Sequence, residues 1–179
     1  MAAQKEFEKA RQVWHWEART IERLNDMMDE ETFLQVAQLL HECKVAGGRV
    51  LLSGKGTAGA AARKVSYALS CVDIPAFFVA PGDGLHATSG LIQKKDLVLL
   101  FSKGGNTSEI LELQDIAHNK RAQVVAVTSN PASLLAIKAD HMLLIPVERN
   151  ADDHNALATN STMAMIAVFD AIAVVLKDY

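Results

Sequence analysis

Five short, unbroken apolar runs, at residues 50–52, 76–80, 97–101, 124–127 and 142–147, leave this chain few folds to adopt. Each has the length of a strand, and most are built from Val, Ile, Leu or Phe. A strand with one wet face alternates apolar and polar residues. Continuous apolarity means that both faces are covered, as in a parallel sheet between helices. Segments of helical character lie between most of the runs, at 58–70, 106–119 and 132–138, while 81–95 reads as a loop with one helical turn. Strands alternating with helices predict an α/β fold: a three-layer α/β/α sandwich around a five-stranded parallel sheet, doubly wound in the flavodoxin manner.

Ahead of the first run, residues 6–28 place Phe7, Ala10, Trp14, Ile21, Leu24 and Met28 at helical spacing. A second amphipathic helix carries Phe33, Val36, Ala37, Leu39 and Leu40 and stops near Gly47-Gly48. Neither helix has a partner strand, so both are expected on one face of the sheet or across a dimer. The last segment, 155–176, is apolar nearly all round and reads as a helix buried between layers or subunits. A chain of 179 residues is long enough for one domain with a full core. The expected division is N-terminal helices over 1–45 and sandwich core over 46–179 of a single domain, 1–179.

Composition excludes several classes. The net charge is −3 and no basic stripe is present, which argues against nucleic acid as a partner. Residues 1–11 mix charged and apolar side chains and lack the apolar centre of a secretory signal. The longest apolar run, 163–176, is too short to span a bilayer and contains Asp170, so no membrane partner is expected. Cys43 and Cys71 show neither metal nor redox spacing and read as small buried thiols. Together these features predict a cytoplasmic protein.

Three polar loops interrupt this apolar framework. The first, Ser53-Gly54-Lys55-Gly56-Thr57-Ala58-Gly59, follows the first strand and opens a helix. Its glycines match the dinucleotide pattern G-x-G-x-x-G. A nicotinamide site also needs a carboxylate at the end of the second strand, and here that strand ends Phe78-Val79-Ala80-Pro81. The second loop, Ser102-Lys103-Gly104-Gly105-Asn106-Thr107-Ser108-Glu109, follows the third strand. Asn106 there is the expected N-cap, with Glu109 three residues on completing a capping box. The third, Ala158-Thr159-Asn160-Ser161-Thr162, opens the last helix. One hydroxyl suffices to cap a helix. Hydroxyls and glycines crowded at helix starts beyond strand ends instead describe an anion site, where free backbone N–H groups and hydroxyls receive a phosphate.

In this order and spacing the three loops resemble the SIS (sugar isomerase) domain family, over about residues 30–179. The first resembles its glycine–hydroxyl loop. The second, extended back to Asp96, resembles its D-x-x-x-x-x-S-x-S-G-E-T/S stretch, and the third its T-S-S-T helix start. Within the family the sequence is most similar to the arabinose-5-phosphate isomerase type without CBS domains, whose histidine loop matches Phe77-Phe78-Val79-Ala80-Pro81-Gly82-Asp83-Gly84-Leu85-His86. The short 6-phospho-3-hexuloisomerases are a second likeness. The resemblance implies a phosphosugar-binding isomerase of carbohydrate derivative metabolism, needing no cofactor. It also implies a homodimer or homotetramer with its sites at subunit interfaces. There are departures. Thr57 stands where a lysine is usual, with Lys55 two residues earlier; Gly104 replaces a serine and Asn106 a glutamate; the sequence ends at Tyr179, before the place of a histidine that longer members carry.

Aldose–ketose isomerisation through an enediol needs a base at the carbon beside the carbonyl, an acid at the oxygen, and a clamp on the phosphate. Glu148, past the last strand, is the expected base, although it falls about two positions out of register with the glutamate that the resemblance implies. The alternative for it is a loop carboxylate paired with Arg149. His86 is the expected acid–base histidine and His154 the weaker second. Ser53, Gly54, Lys55, Gly56, Thr57, Ser102, Lys103, Gly104, Asn106, Thr107, Ser108, Thr159, Ser161 and Thr162 are the expected phosphosugar-binding residues. No metal is expected; Asp152-Asp153-His154 is the only loose candidate. His15, His41 and His118 read as solvated, His141 as structural, and Trp14 and Trp16 as core or dimer packing. The competing function is a non-catalytic phosphosugar sensor, suggested by the altered loops.

Overall fold

The computed structural model describes residues 2–152, 154 and 156–179. Helices α1 (Ala2–Glu22), α2 (Leu24–Met27) and α3 (Glu30–Val45) precede the sheet. Then follow β1 (Val50–Gly54), α4 (Gly56–Ser70), β2 (Ala76–Phe78), α5 (Pro81–Gly84), a 3-10 turn over Ala87–Leu91, and β3 (Leu97–Phe101). The chain closes with α6 (Ser108–Asn119), β4 (Gln123–Thr128), α7 (Leu134–Lys138), β5 (His141–Leu144) and α8 (Asn160–Leu176). All neighbouring strands are parallel, in the order β2-β1-β3-β4-β5. This is the doubly wound α/β/α sandwich that the apolar runs predict.

The two-residue period of the strands divides the core in two. Leu52, Leu99, Phe101, Val125 and Val127 point to one side, into a cluster completed by α3, α4 and α8. Leu51, Val98, Leu100, Val124 and Ala126 point to the other, under α6 and α7. On the first side the ring of Phe169 in α8 lies 5.2 Å from that of Phe101 in β3. The apolar α8 is therefore a core helix packed on α4 and α3 through residues such as Val168, Phe169 and Ile172, while Met163 and Val174 remain exposed on its outer side.

The outermost strands are shorter than their apolar runs, because β2 and β5 each have only one neighbour. α8 starts at Asn160; residue 155, where the sequence predicts its start, lies outside the described residues. The N-terminal helices depart further from expectation. α3 is buried through Val36, Ala37, Leu40 and Cys43, but Phe7, Trp14 and Ile21 of α1 are exposed. α1 instead turns its Trp16–Thr20 side to the molecule: the buried Asn160 side chain of α8 donates to Thr20 Oγ1 at 2.9 Å. Cys43 is buried as expected, whereas Cys71, at the end of α4, is exposed.

At the opposite end of the sheet, Asp96 is 3% exposed and binds the backbone N–H of Arg49 (3.0 Å), the Arg49 guanidinium (2.8 Å) and the N–H of Gln93 (2.9 Å). The first residue of the second motif is thus a brace tying the starts of β1 and β3 together, remote from the loops at their ends. No described helix is long and apolar enough to cross a membrane.

Candidate functional site

The sheet order reverses between β1 and β3: the chain leaves β1 toward β2 on one edge and β3 toward β4 on the other. In such sheets ligands bind in the crevice beyond the carboxyl ends of the strands at this switch point. The first and second loops leave the two switch-point strands, which pair in register up to Gly54 and Phe101. The third opens α8, whose packing on α4 carries it from the edge strand β5 back toward the same crevice. The three predicted loops therefore share one end of the molecule.

Within the first loop, buried Ser53 donates its hydroxyl to the Val79 carbonyl (2.8 Å), tying β1 to the end of β2. A Cβ on Gly59 would sit 2.3 Å from the Gly54 carbonyl oxygen, so here the third glycine of the dinucleotide-like pattern serves close strand–helix packing. Thr57 is exposed. In the second loop Ser102 Oγ lies 3.1 Å from Thr107 Oγ1 and accepts the Gly105 N–H, also at 3.1 Å. The turn after β4 braces this loop from outside: Thr128 donates to the Lys103 carbonyl (3.0 Å) and Asn130 to that of Gly104 (3.3 Å).

Asn106 is not the N-cap that its position suggests. α6 begins at Ser108 behind Thr107, and the Asn106 side chain accepts the N–H of Leu134 at 3.2 Å. Glu109 completes no capping box; its carboxylate takes the Lys55 ammonium from the first loop and the Ser108 hydroxyl (3.0 Å). Chiefly the Lys55 contact, then the helix's own N–H and Ser108, hold the Glu109 carboxyl down at about 2. The helix starts also differ in kind. Asp29 caps α3 and Ser133 caps α7, but Lys55, Thr107 and Thr159 make no side-chain cap bond at the starts of α4, α6 and α8. At α4 no described side chain caps the first-turn N–H groups, which leaves them for water or a ligand, whereas at α6 the Glu109 N–H meets its own carboxylate and at α8 the Ser161 N–H goes to the Asn150 side chain.

The third loop's hydroxyls are occupied within the protein. Thr159 Oγ1 accepts the Ala151 N–H (2.9 Å), Ser161 binds Asn150 Oδ1 through both N–H (3.2 Å) and hydroxyl (3.1 Å), and Thr162 donates to the Ala158 carbonyl (2.6 Å). They shape the segment between β5 and α8 that bears Glu148. Glu148 forms an ion pair with Arg23, between α1 and α2, and the Arg149 guanidinium lies 5.0 Å from the centre of the Trp16 ring. Glu148 thus ties the segment after β5 to the N-terminal helices through Arg23, a partner other than the Arg149 of the alternative reading.

Trp16, Arg19, Thr20 and Arg23 of the first two helices wall a cleft with Pro146 and Glu148. Beside it a cavity of about 280 Å³ is lined by Lys9, Gln12, Trp16, Asp152, His154 and Thr159, among others. Sequence reasoning that follows apolar spacing misses this contribution of α1. The signal is present all the same: Trp16, Arg19, Thr20 and Arg23 recur at i, i+3, i+4 and i+7, one face of a helix. Trp16 serves this cleft as well as packing.

His86 is not brought to Glu148 within one chain. It is exposed between α5 and the 3-10 turn, on the β2 side, while Glu148 follows β5. Four strand spacings separate β2 from β5, about 19 Å at ~4.8 Å per strand. His154 is exposed beside Asp152, which accepts its N–H at 3.3 Å; Asp153 lies outside the described residues. Among the described residues no group of three or more His, Cys, Asp or Glu comes together as a metal site. The histidines read as solvated have neighbours: His118 lies 3.2 Å from Asp140, and the rings of His41 and Tyr179 and of His15 and Trp16 are 5.2 and 6.4 Å apart.

The family model for the SIS domain matches residues 45–175, the stretch that holds all five strands and all three loops. The chain belongs to the SIS domain family. This SIS domain is 33% identical over 164 residues to the arabinose 5-phosphate isomerase KpsF of Escherichia coli O6:H1, covering 92% of this chain and 49% of that protein. It is 32% identical over 165 residues to KdsD of Francisella tularensis, covering 92% of this chain and 50% of that one. It therefore spans about half the length of these curated relatives. Solved SIS structures superpose closely. The E. coli CFT073 protein c3406, in complex with arabinose 5-phosphate, gives a TM-score of 0.92 at 28% identity, covering 99% of this chain and 93% of that one. A provisionally assigned sugar-phosphate isomerase of Listeria monocytogenes gives 0.95 at 39%, covering 100% and 92%.

Proposed function

We propose that this chain is a sugar-phosphate isomerase that interconverts an aldose and a ketose phosphate, with arabinose 5-phosphate as the substrate to test first. One observation carries the reading. The starts of α4 and α6, whose N-cap residues make no side-chain cap bond, open from the two switch-point strands, in a fold that superposes on a protein holding arabinose 5-phosphate. Backbone N–H groups at helix starts favour a dianion through both hydrogen bonding and the helix dipole. Ser102, Thr107 and Ser108 from the second loop, with Gly54, Lys55, Gly56 and Thr57 from the first, would line the phosphate end. Asn106, Thr159, Ser161 and Thr162 would then act by holding the loops in shape.

The enediol route assigns the remaining groups. Glu148, steadied by Arg23, takes the proton from C2. The C–H electron pair forms the C1=C2 bond, and the carbonyl pair moves to O1, which receives a proton from a histidine. Return of a proton to C1 and loss of the O2 proton give the ketose. His86 reaches the site in a homo-oligomer, from a second copy, since its own chain holds it on the far edge of the sheet. His154, beside the α1 cleft, is the histidine available within the same chain. A cytoplasmic location goes with this reading, since sugar phosphates are kept there.

The test is turnover of arabinose 5-phosphate, with exchange of its C2 proton into heavy water followed by NMR. Wild type is expected to exchange; Glu148→Gln is expected to lose turnover by about 10²- to 10⁴-fold, the scale of a general base, while still binding the sugar phosphate. Retained turnover in Glu148→Gln removes Glu148 from the mechanism. Binding with no exchange in wild type makes the chain a sensor.

A further inference from the structure

Lys55 and Glu109 form an ion pair that joins the first two loops directly, across the switch point, between residues 54 apart in sequence. Their side chains remain 61% and 30% exposed. Lys55 is the only lysine in the first loop and also lines an open groove of about 350 Å³ with Gly56, Arg63, Phe78 and Pro81. Its ammonium is therefore within reach of solvent and ligand while bound to a carboxylate. An ion pair this exposed is weak and readily exchanged. A phosphate dianion, with two charges and three oxygens, is a stronger acceptor than one carboxylate.

We propose that Lys55 is a shared ammonium, held by Glu109 before the substrate arrives and passed to the substrate phosphate on binding, so that Glu109 competes with the ligand and sets its affinity. The inference rests on the sugar-phosphate reading above. It makes Lys55 a binding residue and Glu109 a positioning residue whose carboxylate opposes the ligand. The exchange is balanced: one N–H···O⁻ contact to Glu109 is replaced by one to phosphate, and the freed carboxylate is left to water and to Ser108.

The consequence is a sign that a purely structural bridge cannot give. Losing either half of a structural bridge weakens binding. Losing Glu109 from a competing pair strengthens it. Binding of inorganic phosphate and of arabinose 5-phosphate is measured by titration calorimetry on wild type, Lys55→Met, Lys55→Arg and Glu109→Gln, with far-UV circular dichroism as the check on folding. Lys55→Met is expected to weaken both ligands by about tenfold or more, as loss of a charge-assisted bond does. Lys55→Arg retains the charge and should stay within about threefold of wild type. Glu109→Gln keeps the shape, removes the competing charge, and should tighten both ligands by about three- to fivefold. Equal weakening in Lys55→Met and Glu109→Gln, or no change in Glu109→Gln, overturns the inference alone. Failure of wild type to bind either ligand overturns the sugar-phosphate reading and this inference with it.

Discussion

Gly105 is the hinge of the second loop. Its φ of +67° lies in the left-handed region, and a Cβ there would stand 2.0 Å from Ser133 Oγ and 3.2 Å from Thr128 Oγ1. Gly105→Ala should therefore cost about 1–3 kcal/mol of stability through strain and clash, and should displace the loop that Ser102 holds. A lowered urea midpoint, with weaker phosphate binding, checks it; an unchanged midpoint contradicts it. Glu109 makes a second prediction at this scale. Its carboxyl sits at about 2 in the fold against an ordinary 4.5, so its pairing stabilises the protein fully above 4.5 and less as pH falls toward 2. The difference in melting temperature between wild type and Glu109→Gln should be largest above about pH 5 and shrink in acid. A difference that grows in acid reverses the sign and refutes the pairing. Little of this is legible in the sequence. Asn106 has the look of an N-cap because caps are local, but its partner, Leu134, is 28 residues away. The glycines and hydroxyls of the loops are legible as a class; which hydroxyls the protein itself uses is not.

The elements follow the sequence wherever burial alone decides them. β3 has the bounds its apolar run predicts, because it is buried on both faces and nothing else competes for those residues. Helix starts shift, α4 by two residues toward the strand and α6 by two away from it, because loop geometry and not periodicity sets a start. α1 departs most. Its apolar residues have helical spacing, yet Phe7, Trp14 and Ile21 face outward, and the inward side is fixed by Asn160 and Thr20. An amphipathic pattern shows that a helix has two sides, not which one meets the protein. Asn160→Leu tests that anchor. Its amide is fully buried, so removing it leaves Thr20 Oγ1 without its donor at about 1–3 kcal/mol, while the Trp16 carbonyl keeps the Thr20 hydroxyl at 2.8 Å. Hydrogen exchange in α1 should rise while the sheet stays protected; uniform change across the chain would show that α1 is not separately anchored. At the other end of β1 and β3, Asp96→Ala should cost about 1–3 kcal/mol, since it leaves the backbone donors of Arg49 and Gln93 without their acceptor, but leave the affinity of folded protein for arabinose 5-phosphate unchanged. A change in affinity would mean that the brace is felt at the site.

At the scale of the molecule, the sheet order separates the two groups that the proposed mechanism joins. β2 and β5 form opposite edges, about 19 Å apart, and His86 follows the one while Glu148 follows the other. Two copies related by a closed symmetry can supply each group to the other's site. The exposed apolar side chains of α1, among them Phe7 and Trp14, are compatible with such contacts. The arrangement makes a prediction that no single-chain site shares. His86→Ala and Glu148→Gln should each be inactive alone. After unfolding together, mixing and refolding, random dimers would be half heterodimers, each with one site that has both Glu148 and His86. Activity should then return to about a quarter of the wild-type level. Mixing without exchange of subunits should restore nothing, which controls for contamination. If the mixture stays inactive while light scattering shows mixed oligomers, His86 does not act across the interface, and His154 becomes the histidine to substitute next.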